Sequence, residues 1–138
     1  MELNTDIESQ KKLASQWFKS LRDDFCKTFE KLDQKKFSRK SWNHKGEGGG
    51  EMSVMRGDVF EKVGVNISTV SGEFSEDYRS QVKGTQGSPK YWATGISLVA
   101  HMMSPKIPAF HFNTRFLVTQ DSCCLLYTSP SPRDRTRS

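Results

Sequence analysis

The sequence has no uninterrupted run of about 18 apolar residues, so none of its segments is expected to cross a bilayer as a helix. It also lacks an apolar stretch near its start, where MELNTDIESQKK is polar, and a cytoplasmic location is the expectation. Cysteine is scarce: Cys26, Cys123 and Cys124 make no disulfide framework and have no metal-ligand spacing. Gly46 to Gly50 (GEGGG) lacks the Gly-Lys-Ser/Thr ending of a phosphate-binding loop and is no dinucleotide fingerprint; it predicts a flexible loop. Ser97 lacks the G-x-S-x-G elbow of a hydrolase nucleophile. Apolar residues fill only 34% of the 138 positions, which predicts one domain with a thin core. Of three histidines, two fall within one stretch, Gly95 to Val118.

That stretch, GISLVAHMMSPKIPAFHFNTRFLV, reads as two strands around a loop. Ile96 to Met102 is apolar, Phe110 to Val118 is aromatic and β-branched, and SPKIP between them breaks either pattern. Side chains alternate along a strand, so Ser97, Val99 and His101 share a face, and His111, Asn113 and Arg115 share a face. Ile96, Leu98, Ala100, Phe110, Phe112 and Phe116 take the opposite faces and form the expected core. A symmetric hairpin would set His101 opposite His111 and Ser97 opposite Arg115, gathering the polar groups on one sheet face.

Upstream, Thr5 to Leu32 predicts an amphipathic helix. Leu13, Trp17, Phe18, Leu21, Phe25, Phe29 and Leu32 recur at three- and four-residue spacings, Thr5 and Glu8 fit a capping box, and the Lys and Arg residues make a solvated face. A short strand is expected around Ser41 to His44, with His44 at the surface. Further strands are expected over Ser53 to Arg56, Val59 to Val63 and Val65 to Val70, and a helical turn around Asp77 to Val82. Short Gly- and Pro-containing connections favour an α+β fold with a largely antiparallel sheet over parallel βαβ units.

The net charge of +5 is spread along the chain; it permits an anionic ligand without demanding nucleic acid. A small basic binding module for RNA, using Trp42, Tyr91, Trp92 and the Lys-rich region, is the alternative reading. No RRM or KH signature supports it, and no nucleic-acid partner is expected.

Two blocks carry a resemblance. Glu47 to Phe74, EGGGEMSVMRGDVFEKVGVNISTVSGEF, is similar to the signature segment of the oxygen-dependent coproporphyrinogen III oxidases. GISLVAHMMSPKIPAFHFNTRF resembles their next block, with Gly-x-Ser-Leu-Val-x-His, then Pro-x-x-Pro, then His-x-Asn-x-Arg-Phe, and the ten-residue step from His101 to His111 is kept. Met102, Ser104 and Ala109 depart from the usual Pro, Asn and Thr. The similarity covers residues 1–120, from the helix to about Gln120. Residues 121–138, DSCCLLYTSPSPRDRTRS, do not resemble the family, and their Ser, Pro and Arg content predicts a disordered tail. A truncated frame with a foreign end is expected, with a short protein bearing a disordered tail as the bland alternative.

The resemblance implies an α+β domain in which an N-terminal helix packs on an antiparallel sheet, present here as an incomplete part of a larger domain. It implies oxidative decarboxylation of two propionates of coproporphyrinogen III to vinyl groups, giving protoporphyrinogen IX. Molecular oxygen is then the oxidant; no organic cofactor is implied, and a divalent metal is left open. By resemblance His111 is the catalytic proton donor, Ser97, Asn113, Thr114 and Arg115 contact substrate, and His101 and His111 match metal ligands. The full-length family is homodimeric. The acidic residue and later histidines of the family have no match here, so the 138-residue chain alone is expected to be inactive.

Overall fold

A computed structural model describes residues 3–45, 47–82, 87–119 and 122–128. The chain opens with helix α1 (Leu3–Asp33), then runs through β1 (Ser38–Asn43), β2 (Glu47–Met55), β3 (Phe60–Glu73), the single turn α2 (Glu76–Arg79), β4 (Lys90–Met102), β5 (Phe110–Thr119) and β6 (Ser122–Thr128). The strands form one six-stranded sheet in sequence order, each pair antiparallel. The α+β class and the helix-on-sheet arrangement are therefore as expected. No helix among the described residues is long and apolar enough to cross a membrane.

The core lies between α1 and one face of the sheet. Phe18 and Cys26 of the helix meet Met55, Val63, Val65, Ile96, Leu98 and Ala100, all buried. Phe29 meets Phe60 edge to face at 5.1 Å, and Phe25 meets Phe112 at 6.3 Å. Each fully buried side chain of this size contributes roughly 1.5–3 kcal/mol by leaving water, which offsets the small apolar fraction.

The helix periodicity names the right element but too wide a stripe. Phe18, Leu21, Phe25 and Phe29 face the sheet, whereas Leu13, Trp17 and Leu32 are more than half exposed, because one sheet covers only a narrow arc of a helix. Thr5 lies inside α1, which begins at Leu3, rather than at its cap. Nor is every helix cation solvated. Arg22 is buried and pairs with Asp23 at 2.7 Å and Glu51 of β2 at 2.5 Å, while Arg39 of β1 reaches Asp23 at 3.0 Å. Burial alone would lower the Arg22 pKa, yet the bonds to Asp23 and Glu51 outweigh it and the net shift is upward.

At its other end α1 is fastened by Asp33. This buried carboxylate accepts backbone N–H bonds from Asp58 and Phe60, each at 2.9 Å, and from Val59 at 3.2 Å. A Cβ at Gly57 would run into the same carboxylate, so glycine is required for the β2–β3 turn to wrap it.

Three sequence expectations are corrected here. The glycine run is not a loop: Gly48 to Gly50 belong to β2, with Gly46 outside the described residues. Gly48 adopts φ 91°, and a Cβ at Gly50 would stand 2.6 Å from the Trp42 ring, so close approach as well as freedom selects glycine. The β4–β5 register is shifted by two residues: Val99 faces His111, Ser97 faces Asn113 and Gly95 faces Arg115. The loop is not symmetric, because β4 overshoots β5 and its last residues, His101 and Met102, pair only with Lys62 and Phe60 of β3. A shift of two preserves which face each residue takes. Finally, Ser122–Thr128, inside the expected disordered tail, pairs with β5 as a strand. The run Cys123 to Tyr127 suits a strand by residue type, and its Ser, Pro and Arg neighbours masked that signal. Residues 121 and 129–138 lie outside the described ones.

Candidate functional site

The face turned away from α1 is met by the short helix α2 at one end only, where Tyr78 stacks on Phe74 at 5.6 Å, and its side chains fall in rows across the strands. One row runs Trp42, Gly50, Ser68, Gly95, Arg115. The next runs Lys40, Met52, Asn66, Ser97, Asn113, and the next Ser38, Val54, Gly64, Val99, His111. Two glycines in the first row hollow the sheet between Trp42 and Arg115. A cavity of about 270 Å³ results, lined by Trp42, Met52, Asn66, Ser68, Ser97, Asn113 and Arg115.

Ser97, Asn113 and Arg115 thus meet at one cavity. Among the described residues none of the three makes a side-chain hydrogen bond or an ion pair, although Ser97 and Asn113 are half-buried. Beside them His101 and His111 face each other with Nε2 atoms 3.4 Å apart and ring centres 5.4 Å apart. A proton on one Nε2 can bridge to the other, so the pair can hold or pass one proton. Thr114, named only by resemblance, is elsewhere: it is buried on the helix side of β5. Phe110, expected in the core, is 44% exposed at the start of β5, beyond the reach of α1. His44 is half-buried beside the β1–β2 turn.

Sequence reading missed Trp42, Asn66 and Ser68 as members of this face. The signal was the alternation of Asn66 and Ser68 with Val65 and Ile67, usable once β3 is seen to run unbroken through Gly64. A larger cavity, about 680 Å³, lies at the other end of the sheet, where Lys11 of α1 stands 5.3 Å from the Trp92 ring centre; Tyr91 and Trp92 line it, but none of Ser97, His101, His111, Asn113, Thr114 and Arg115 does. Tyr91 stacks on Phe74 at 4.4 Å on the open face, while Trp92 is on the helix side, so Trp42, Tyr91 and Trp92 form no common stacking platform for RNA.

Two ring nitrogens 3.4 Å apart also suit one tetrahedral ion, whose nitrogen ligands at about 2.0–2.1 Å lie roughly 3.3 Å from each other. No group of three or more His, Cys, Asp or Glu able to hold a metal occurs among the described residues.

Residues 13–131 match the family model described as coproporphyrinogen III oxidase, a match that runs past Gln120. The oxygen-dependent coproporphyrinogen-III oxidase of Rickettsia felis is 55% identical over 122 residues, covering 81% of this chain and 44% of that protein. The protein of the same name from Rickettsia akari is 54% identical over 122 residues, and that from Rickettsia typhi 52% over 127. The chain spans less than half the length of these relatives.

Proposed function

The chain belongs to the coproporphyrinogen III oxidase family, and from that premise we propose that its open sheet face is the propionate-binding and proton-handling part of an oxygen-dependent coproporphyrinogen III oxidase. In the reaction each of the two propionates that react loses carbon dioxide and a hydrogen from the carbon next to the ring. The two electrons released reduce oxygen to hydrogen peroxide, and a vinyl group remains. Two such steps give protoporphyrinogen IX. The electron-rich ring reacts with oxygen, so the protein's contribution is orientation, charge pairing and proton transfer.

The observation that carries this reading is the convergence of Ser97, Asn113 and Arg115, without side-chain partners among the described residues, beside the histidine pair. The Arg115 guanidinium holds a carboxylate through two parallel bonds. Asn113 and Ser97 hydrogen-bond the same group, fixing the propionate chain before carbon dioxide leaves. His111 handles the proton, and His101 shares it. His101 and His111 would hold a divalent ion, which would supply Lewis acidity there. The two roles compete for the same Nε2 atoms, so a proton between the rings and an ion between them exclude one another. Homodimerisation and a cytoplasmic location belong to the same proposal.

The test is binding of coproporphyrinogen III under argon, by equilibrium dialysis, to the chain and to Arg115→Lys. A Lys ammonium cannot reproduce the bidentate fork, so affinity should fall about tenfold, or about 1.4 kcal/mol, with the fold intact. Equal binding by both removes Arg115 from carboxylate recognition. In air the chain alone is expected to form no protoporphyrinogen IX above a no-protein control; formation at an enzymatic rate would show that this segment holds the whole catalytic apparatus.

A further inference from the structure

We infer that Asn66 is a further substrate-contacting residue of this face, accepting a hydrogen bond from a pyrrole N–H of the tetrapyrrole whose carboxylate Arg115 holds. The inference rests on the proposed function and adds a residue and a contact to it. Asn66 sits in the central strand β3, directly opposite Ser97, and lines the same cavity as Ser97, Asn113 and Arg115. Its Oδ1 is shut off from water and has no hydrogen-bond partner. A shielded carbonyl oxygen without a partner is unfavourable and calls for an explanation. Nothing among the described side chains bonds the Asn66 carboxamide, and the terminal torsion of Asn is broad, so a donor in the cavity can draw the oxygen toward it, the oxygen and the amide NH2 exchanging places.

The chemistry of the missing partner follows from what the cavity already offers. Arg115 supplies donors for an anion, and Ser97 and Asn113 can add more. A carboxylate has no proton to give to Oδ1. The spare acceptor therefore fits a donor on the same ligand, and a pyrrole N–H only donates. Asn66 lies two strands and one row from Arg115, roughly 12 Å when the strand spacing and the rise of two residues are combined. An arginine side chain and a propionate arm together bridge that span to the ring nitrogen.

The test uses Asn66→Leu, close in size and without polar atoms, on the whole chain. Coproporphyrinogen III under argon is the first probe, and 3-phenylpropionate, a carboxylate without an N–H, is the second, followed by NMR shift titration. The expected result is an approximately tenfold loss of affinity for coproporphyrinogen III with 3-phenylpropionate binding unchanged. Equal losses for both probes, or no loss for either, overturn the inference while leaving the carboxylate site standing. Failure of the unsubstituted chain to bind coproporphyrinogen III overturns the proposed function and the inference with it. Should the Leu variant not fold, as judged by circular dichroism, Asn66→Ala carries the same comparison.

Discussion

The two faces of one sheet, made by the same strands, differ in how their side chains are satisfied. On the face under α1 most groups have a partner, the buried Ser53 hydroxyl excepted: Leu98, Val63 and Phe18 are packed, Arg22 is paired, and Asp33 is bonded by three backbone N–H groups. On the other face Ser97, Asn113 and Arg115 have none among the described residues, and the Asn66 oxygen is both shielded and unbonded. Folding stability resides on the first face. The second holds hydrogen-bonding capacity that folding does not use, and that surplus is what a ligand can take up.

The largest effect should come from the packed face. Leu98 is 2% exposed, and Leu98→Ala removes its packing without refilling the space. A loss of about 2–5 kcal/mol is expected in urea unfolding. The neighbouring Val99→Ala, half-buried on the other face, should cost well under half as much. Equal losses would break the contrast between the faces.

A smaller effect is expected at Asp33. The Phe60 N–H above all holds its carboxyl below the usual carboxylate range; burial opposes this, and the Asp58 and Val59 N–H groups assist. The folded chain thus binds this proton less tightly than the unfolded chain. The stabilisation is complete above the unfolded carboxyl value of about 3.9 and is lost as pH falls from there through the folded value. Between about pH 6 and about pH 3 the urea midpoint should therefore fall more steeply for the natural chain than for Asp33→Asn. Parallel curves would mean that the turn does not depend on the carboxylate.

Much of this contrast could be read from residue order. Alternation over Ile96 to Ala100 and over His111 to Arg115 assigned those residues to their faces, and it survived a register wrong by two because alternation has period two. What escaped reading depended on partners distant in sequence. Arg22 looked like a solvated helix cation, since Glu51 is met only when β2 crosses the helix. The glycines of β2 looked like a loop, since Trp42 lies against Gly50 only after β1 has paired. Asn66 escaped for a similar reason: one residue says little about its face until Ser97 is seen opposite it. Thr114 shows the converse, since resemblance put it with its neighbours while the pleat puts its side chain under the helix.

The smallest expected effect is the most discriminating. Ser97 is a half-buried hydroxyl in β4, between Asn66 and Asn113, and makes no hydrogen bond with a described residue. Removing a hydroxyl that bonds nothing forfeits no interaction of the folded state and leaves no donor or acceptor stranded. Alanine costs little backbone entropy in a strand already held by β3 and β5. Ser97→Ala should therefore leave urea stability within about 0.5 kcal/mol of the natural chain. If Ser97 serves a carboxylate, the same substitution should lower affinity for coproporphyrinogen III several-fold, because one hydrogen bond to a charged group is then lost. A stability loss above about 1 kcal/mol would mean that the hydroxyl belongs to the fold. Unchanged stability with unchanged affinity would mean that it serves neither, and the surplus on the open face would then have to be carried by Arg115, Asn113 and Asn66.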